Sequence, residues 1–533
     1  MKTKKFNLFP QNNQKTENII TYIIYPLFVI FFFWAMNLIH CGYHLVDDHE
    51  FLYYNSAYKY LGQSFGTIYK EAFLTDLAIR FRPIHFFFRI FFSLFIGKTN
   101  LVPYMILRII QTSLCMIFLH KTARKLNVSF LSSIAFTLLS LIGFQACSCW
   151  KLGTQELQCT LFFSAGFYFL LLYLDSITNN RRLYYIISCI CFILMSGYKE
   201  SFILLIPFVI LFIIFHDYGT DNLISNSFSY REIFHKILHI CKNRKNIILP
   251  YIFIFIIPLL LIMTFVDING YGTWTVSEKL PIYQTVLNWI INLSEATSAD
   301  LKWYVRIGAL LGCILLTYYD KLRKVCFELL LVLAIVIPQL IVYRNMVISK
   351  HYLLPIVIGF SYLFVVVPGK YNLLTGKRKI LYNAALILLI LLQFRVTYRE
   401  AEYYRYRGEG VQTVLDTIKK LSSEDDIYIL SCLNPNMEGD LTLTYWNAYY
   451  GYDNIYSWFD ESSEAVKCSF NDKHVKDFYQ YDTITDLDNI SVIIMYNKED
   501  RHWCYDPNID LHNFTLYKCG TLDLYIRNTL YNL

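Results

Sequence analysis

The chain is cut into blocks of about twenty apolar residues, the length of helix that a bilayer core requires, separated by polar connections, several of which carry clusters of Lys and Arg. A soluble core cannot hide so many blocks of this kind. With 55% hydrophobic, 18% aromatic and only 17% charged residues, and a mean hydropathy of +0.37, the surplus must face lipid. The expected fold class is therefore an all-α polytopic membrane protein, with membrane lipids as its first partner. The formal net charge of +7 is dispersed among the connections rather than gathered in one patch. That distribution argues for membrane topology and against a nucleic-acid partner.

Charge then gives the blocks a direction. The first, about 19 to 39, follows the basic start MKTKK and has no small-residue cleavage site, so it reads as an uncleaved helix with a cytoplasmic N-terminus. The segment RFRPIHFFFRIFFSLFIGKTN decides the rest. If residues 85 to 97 cross the membrane, HKTARK at 120 to 125 lies outside; if they lie in the outer interface, it lies inside. With the segment interfacial, further spans fall at about 101–119, 128–147, 157–174, 183–196, 201–215, 247–266, 303–319, 326–343, 352–367 and 380–394. Each cytoplasmic connection then carries positive charge: Lys121, Arg124 and Lys125; Arg181 and Arg182; Lys236, Lys242, Arg244 and Lys245; Lys321, Arg323 and Lys324; Lys377, Arg378 and Lys379. The total is about eleven spans, of which 183–196 is short for a crossing.

An odd number of spans puts the C-terminus outside. Residues 1–394 form the membrane module, with a first extracytoplasmic loop at 40–100, and 395–533 a small extracytoplasmic α/β domain. This last part is polar and rich in Asp, Asn and Tyr, with a helix-like GVQTVLDTIKKL and β-type runs DIYIL, SVIIMYN and TLDLYIR. Of the 14 cysteines, Cys432, Cys468, Cys504 and Cys519 lie here, where an oxidising compartment permits two disulfides of open pairing; four free thiols are the competing reading. Cys147 and Cys149 read as packing residues, and no internal repeat is visible.

With orientation set, polar residues collect at the outer helix ends. HLVDDHEFLYYN supplies Asp47, Asp48, His49 and Glu50, followed by Arg80 and Arg82; CSCWKLGTQELQ supplies Lys151 and Glu156; SGYKES supplies Lys199 and Glu200; YRNMVISKHYLLP supplies Arg344, Lys350, His351 and Tyr352. Acids and bases gathered at headgroup level suit a substrate charged at that depth. The fitting chemistry is transfer from a polyprenyl-phosphate sugar, whose anomeric carbon lies at the membrane surface. A carboxylate such as Asp47 takes the proton of an attacking hydroxyl, and Lys or Arg neutralises the departing phosphate. Direct displacement inverts the anomeric centre. Lys151 and Arg344 also read as ordinary interfacial anchors, and His49 as a hydrogen-bonded loop residue. No metal or other cofactor is required, although the Asp-Asp-His-Glu run could hold a divalent cation. Arg108, Arg306 and Glu328, costly in lipid, are expected to face the bundle and pair structurally.

These residues resemble the GT-C superfamily of membrane glycosyltransferases over about 19–395, nearest the protein O-mannosyltransferase-like group and its bacterial relatives, with the aminoarabinose transferases more distant. In that family an acidic pair follows the first helix, and Asp47-Asp48 matches it. Arg82-Pro83 matches the Arg-Pro that leads into an interfacial helix. Lys199-Glu200, followed by Pro207, resembles the Lys-Glu at the outer ends of the fifth and sixth helices. HYLLP resembles an Arg-Tyr-x-x-Pro pattern with His351 in place of Arg, which passes phosphate binding to Lys350 or Arg344. The resemblance implies Asp47 as base with Asp48 beside it. It implies donor-phosphate contacts from Arg80, Arg82, Lys199, Lys350, His351, Tyr352 and Arg344, and substrate-orienting roles for Glu156, Glu200 and Lys151. It also implies a polyprenyl-phosphate donor and a bacterial inner membrane with the site on the extracytoplasmic face. The acceptor, whether glycan, lipid or protein, stays open, and the loop 267–300 with GYGTW is a candidate for touching it. A lipid-linked sugar flippase or other transporter, or a glycan polymerase or ligase of another fold, are the competing functions. A transporter would place its charges near the midplane, whereas these acids lie in outer loops.

Overall fold

The computed structural model describes residues 14–45, 47–77, 80–175, 180–223, 230–266, 281–297, 322–343, 350–424, 427–433, 438–452, 454–458, 465–468, 479–484, 489–497 and 510–530. Helix α1 (Gln14–Ala35) is followed by three shorter helices, α2 (His49–Tyr60), α3 (Phe65–Leu77) and α4 (Pro83–Phe92). The bundle continues with α5 (Val102–Lys125), α6 (Phe130–Leu141), α7 (Glu156–Asp175), α8 (Arg181–Tyr198), α9 (Glu200–Ile203), α10 (Ile206–Leu223), α11 (Tyr230–Asn243), α12 (Lys245–Phe265), α13 (Ile282–Thr297) and α14 (Leu322–Val342). A helical stretch α15 (His351–Lys370) and α16 (Gly376–Glu424) complete it.

Six described helices are long and apolar enough to cross a membrane, and they lie at Glu17–Ala35, Val102–Lys125, Glu156–Asp175, Lys245–Phe265, His351–Lys370 and Gly376–Ser423. Pro83–Gly97, Phe130–Leu141, Glu200–His216 and Phe327–Val342 are shorter apolar helices. Each expected span coincides with one of these or with α8, except 303–319, which lies outside the described residues. The expected span 128–147 is divided: α6 stops at Leu141 and the chain continues as a 3-10 turn from Phe144 to Cys149.

Side chains sort as a lipid solvent demands. Trp34, Leu131 and Leu391 stand more than 60% exposed on the bundle's outer surface. Inward-facing hydroxyls are satisfied within their own helix: Ser133 Oγ donates to the Ser129 carbonyl (2.9 Å), Thr137 Oγ1 to Ser133 (2.9 Å) and Ser140 Oγ to Phe136 (2.8 Å). The intramembrane carboxylate Glu328 accepts from Tyr362 Oη (2.5 Å), Tyr371 Oη (2.6 Å) and Lys370 Nζ (2.7 Å). Arg306 lies outside the described residues.

The polar C-terminal part folds as an α/β unit. Its seven strands are β1 (Ile429–Ser431), β2 (Ile455–Trp458), β3 (Ala465–Cys468), β4 (Tyr479–Ile484), β5 (Val492–Tyr496), β6 (Phe514–Cys519) and β7 (Leu522–Arg527), in the order β4-β3-β2-β1-β5-β7-β6. The central pairs β1–β2 and β1–β5 are parallel and the flanking pairs antiparallel. Parallel neighbours need a crossover, and α17 (Glu438–Tyr450) supplies it between β1 and β2. Ile429, Ile455, Val492 and Leu524 share one core with Val414 and Ile418 of α16, while Leu430, Tyr456, Trp458 and Ile493 form a second cluster. Cys519 is a free buried thiol, Cys432 is buried just beyond β1, and Cys504 lies outside the described residues.

Two features tie this unit to the membrane module. The expected division at 394 falls inside α16, one continuous helix of 49 residues, because no Gly or Pro interrupts the chain between Lys377 and Arg407. In addition, α17 packs along α2: Ser56 Oγ donates to the Tyr445 carbonyl (3.0 Å), Lys59 Nζ to the Tyr449 carbonyl (3.0 Å), and the Tyr43 ring meets Trp446 edge-on.

Candidate active site

The loop leading into α2 has an unusual backbone. Leu45 (φ 58°) and Asp47 (φ 56°) both adopt left-handed conformations, which cost a residue with a side chain about 1–3 kcal/mol and persist only where surroundings impose them. Two contacts impose the Asp47 conformation. On one side, Arg89 of α4 donates through Nη2 to the Asp47 carbonyl oxygen. On the other, the Asp47 carboxyl lies against Gly153, where an added Cβ would collide with the Asp47 side chain; the close approach requires glycine.

Arg89 is itself held. Its Nη1 pairs with Glu50 Oε2 at 2.8 Å, its guanidinium carbon lies 4.6 Å from the Phe51 ring centroid, and Tyr54 Oη donates to Glu50 at 3.0 Å. His85 Nε2 stands 3.3 Å from Arg89 Nη1 and 3.2 Å from Gln155 Nε2. Burial, then the charges of Arg89 and Arg82, push the His85 pKa well below the usual histidine value, so the ring is neutral and Nε2 accepts from both. For Asp47, burial works toward a higher pKa. The surrounding charges of Arg89, His49, Arg80 and Arg82 outweigh it and hold the carboxyl below its ordinary value.

Asp48 points elsewhere. It is 1% exposed, and its Oδ2 accepts the backbone N–H of His44. The His44 ring stacks on Tyr404 of α16, and its Nε2 lies 2.9 Å from the Tyr404 carbonyl. Burial, partly opposed by Asp48, brings the His44 pKa down to about 4, leaving a neutral ring that donates to that carbonyl. Asp48 thus joins the loop to α16, whereas Asp47 faces the second outer loop.

The other outer residues meet in charge pairs. Arg82 forms a two-pronged bond with Glu200, Nε to Oε2 at 2.9 Å and Nη2 to Oε1 at 2.8 Å, and reaches Gln155 Oε1 at 3.4 Å. Lys199 pairs with Glu156 in a fully buried contact, its Nζ 3.9 Å from the Tyr352 ring centroid. Burial lowers the Lys199 pKa, with Glu156 acting against it. The second Glu156 oxygen, Oε2, is buried with no hydrogen-bond partner among the described residues. His351 packs on Tyr352, and both feel the charges of Glu156 and Asp47. Arg80 and Lys151 make no ion pair among the described residues. Arg108 pins the second outer loop by donating from Nη2 to the carbonyls of Lys151 (2.7 Å), Leu152 (2.8 Å) and Thr154 (2.8 Å), which sets Gly153 in place.

Residues from 47–54, 80–89, 153–156, 199–200 and 351–352 therefore come together, whereas Asp48 turns toward His44 and His49 stacks on Tyr445. Arg344 lies outside the described residues and nothing is described of the Lys350 side chain, so neither expectation meets a geometry. Most of the loop 267–300 is likewise outside. Sequence reasoning passed over Arg89, His85 and Gly153, and it collected Glu50 without giving it a role. Arg89 sits in the run FFFRIFF, where a single cation among rings looks like an interfacial anchor. Its spacing of four from His85 on a helix was the available signal.

Residues 83–241 match the family of dolichyl-phosphate-mannose-protein mannosyltransferases. The match contains α4 with Arg89, the Gly153 loop, Glu156 and the Lys199-Glu200 pair, and it leaves Asp47 outside. No curated protein matches the chain by sequence. Among solved structures, ArnT from Cupriavidus metallidurans in the apo state is 10% identical with a TM-score of 0.48, covering 96% of this chain and 98% of that one. The oligosaccharyltransferase of Archaeoglobus fulgidus, solved with a tethered acceptor peptide, is 11% identical with a TM-score of 0.45, covering 91% of this chain and 70% of that one.

Proposed function

We propose that the protein is an integral membrane glycosyltransferase that moves a sugar from a polyprenyl-phosphate donor to an acceptor hydroxyl on the extracytoplasmic face. The observation that carries the reading is the cluster itself: an ionised, half-buried Asp47 held among Arg89, Arg80 and Arg82, partly within a segment that matches a lipid-phosphate-dependent mannosyltransferase family.

Charge accounting assigns the roles. Arg82 with Glu200 and Lys199 with Glu156 enter as neutral buried pairs and serve to shape the site. Arg80 and Lys151, without such partners among the described residues, supply the net positive charge that a leaving phosphate requires, and His351 and Tyr352 line the same space. Glu156 Oε2 offers an acceptor for a sugar hydroxyl, which orients the ring. Asp47 removes the proton from the acceptor hydroxyl as its oxygen bonds to the anomeric carbon. The bond from that carbon to the phosphate oxygen breaks, and polyprenyl phosphate leaves with the electron pair. One displacement inverts the anomeric centre.

The test is to incubate purified protein with undecaprenyl-phosphate-linked mannose, glucose and 4-amino-4-deoxyarabinose, together with membrane glycan, lipid and peptide acceptors. Mass spectrometry should detect free undecaprenyl phosphate and a product of opposite anomeric configuration. Movement of intact donor between leaflets of a vesicle, with no free undecaprenyl phosphate, would instead identify a flippase.

A further inference from the structure

Between the base and the rest of the fold stands one arginine whose contacts have a single geometric outcome. Arg89 is 7% exposed, lies on the interfacial helix α4, and spans two points of the α2 segment: Glu50 through Nη1 and the Asp47 carbonyl through Nη2. The planar fork of a guanidinium can hold both at once, whereas a lysine ammonium offers one point. The fork's plane is in turn set by the Phe51 ring and by His85 Nε2. The carbonyl it grips belongs to the residue in the left-handed conformation, so the contact fixes where the Asp47 side chain leaves the backbone. Glu50 is more open than its partner, at 30% against 4% side-chain exposure, and Tyr54 holds it from within α2.

We propose that the Glu50–Arg89 pair is the positioning device of the catalytic base, acting through the Asp47 backbone rather than by touching substrate. This rests on the reading of Asp47 as base. The pair ties α2, which carries the base, to α4 at the membrane surface, so the carboxylate keeps a fixed height relative to a lipid-held phosphate. Neither residue contributes a proton or a contact to the donor; both make the near-attack geometry persist.

The experiment measures kcat and KM for the undecaprenyl-phosphate sugar turned over by the wild type, across pH, in Asp47→Asn, Arg89→Gln, Arg89→Lys and the double variant Glu50→Gln/Arg89→Gln. Displacing a reacting group by an ångström costs up to about a hundredfold. The expected result is therefore a kcat at least about tenfold lower in all three Arg89 variants, with donor KM within about twofold. In Arg89→Gln, loss of the nearby cation moves the acid limb of the kcat profile upward, while Arg89→Lys leaves the limb in place with kcat still low. The double variant leaves no buried unpaired charge, so it answers the question if Arg89→Gln fails to assemble. A dead Asp47→Asn beside Arg89 variants of wild-type kcat and wild-type acid limb overturns the positioning role. Normal turnover in Asp47→Asn overturns the assignment of the base itself.

Discussion

At the scale of single residues, the adjacent acids Asp47 and Asp48 do different things. The sequence presents them as a pair, but their side chains diverge, one against Gly153 and the other against His44. A backbone turned by a left-handed residue sends neighbouring side chains in directions that residue type does not encode, which is why the split was not legible. Gly153→Ala gives a direct check: the new methyl must displace the Asp47 side chain, so kcat should fall about a hundredfold, with a loss of stability of about 1–3 kcal/mol from overpacking. Asp76 gives a second check. Burial raises its pKa to about 6 despite Arg82 and Arg80, and its Oδ2 has no hydrogen-bond partner among the described residues. Between the unfolded carboxyl value and 6 the folded chain keeps a proton that the unfolded chain loses, so stability declines as pH rises through that window. Asp76→Asn should therefore melt higher than the wild type at pH 7.5 and equal to it near pH 4; identical curves at both would contradict the burial argument.

At the scale of elements, periodicity and charge located most helices, because a bilayer makes length and apolarity nearly sufficient. The expected spans at 101–119, 157–174 and 247–266 lie within or beside α5, α7 and α12. What patterning could not supply was continuity. The apolar stretch before 394 and the polar helix after it read as two objects, yet α16 runs through that point as one helix because no Gly or Pro falls between Lys377 and Arg407. The β-type runs SVIIMYN and TLDLYIR became β5 and β7, whereas their strand order, set by contacts distant in sequence, was not readable. The packing of α17 on α2 was equally invisible. Ser56, fully buried against the Tyr445 carbonyl, is where that contact can be probed. Ser56→Leu overfills the interface at about 1–3 kcal/mol, and limited proteolysis should then cleave the C-terminal sheet faster than in the wild type, with a lower kcat. Unchanged proteolysis would mean that α17 does not hold the sheet to α2.

At the scale of the whole molecule, the positive-inside reading puts Lys121, Arg124, Arg181 and Lys377 on the cytoplasmic face, and the proposed function needs the Asp47 cluster and the sheet on the other. An impermeant maleimide applied to intact cells should label Asp510→Cys and spare Asn180→Cys, both exposed positions; the reverse pattern would invert the topology. In the proposed reaction the buried pairs Arg82–Glu200 and Lys199–Glu156 give the site its shape, and Arg80 and Lys151 give it charge. The proposed transfer depends on Asp47. Release of undecaprenyl phosphate from the donor that the wild type consumes should drop by about 10² to 10⁴ in Asp47→Asn, with undecaprenyl phosphate binding unchanged. Wild-type release by a folded Asp47→Asn protein would contradict it.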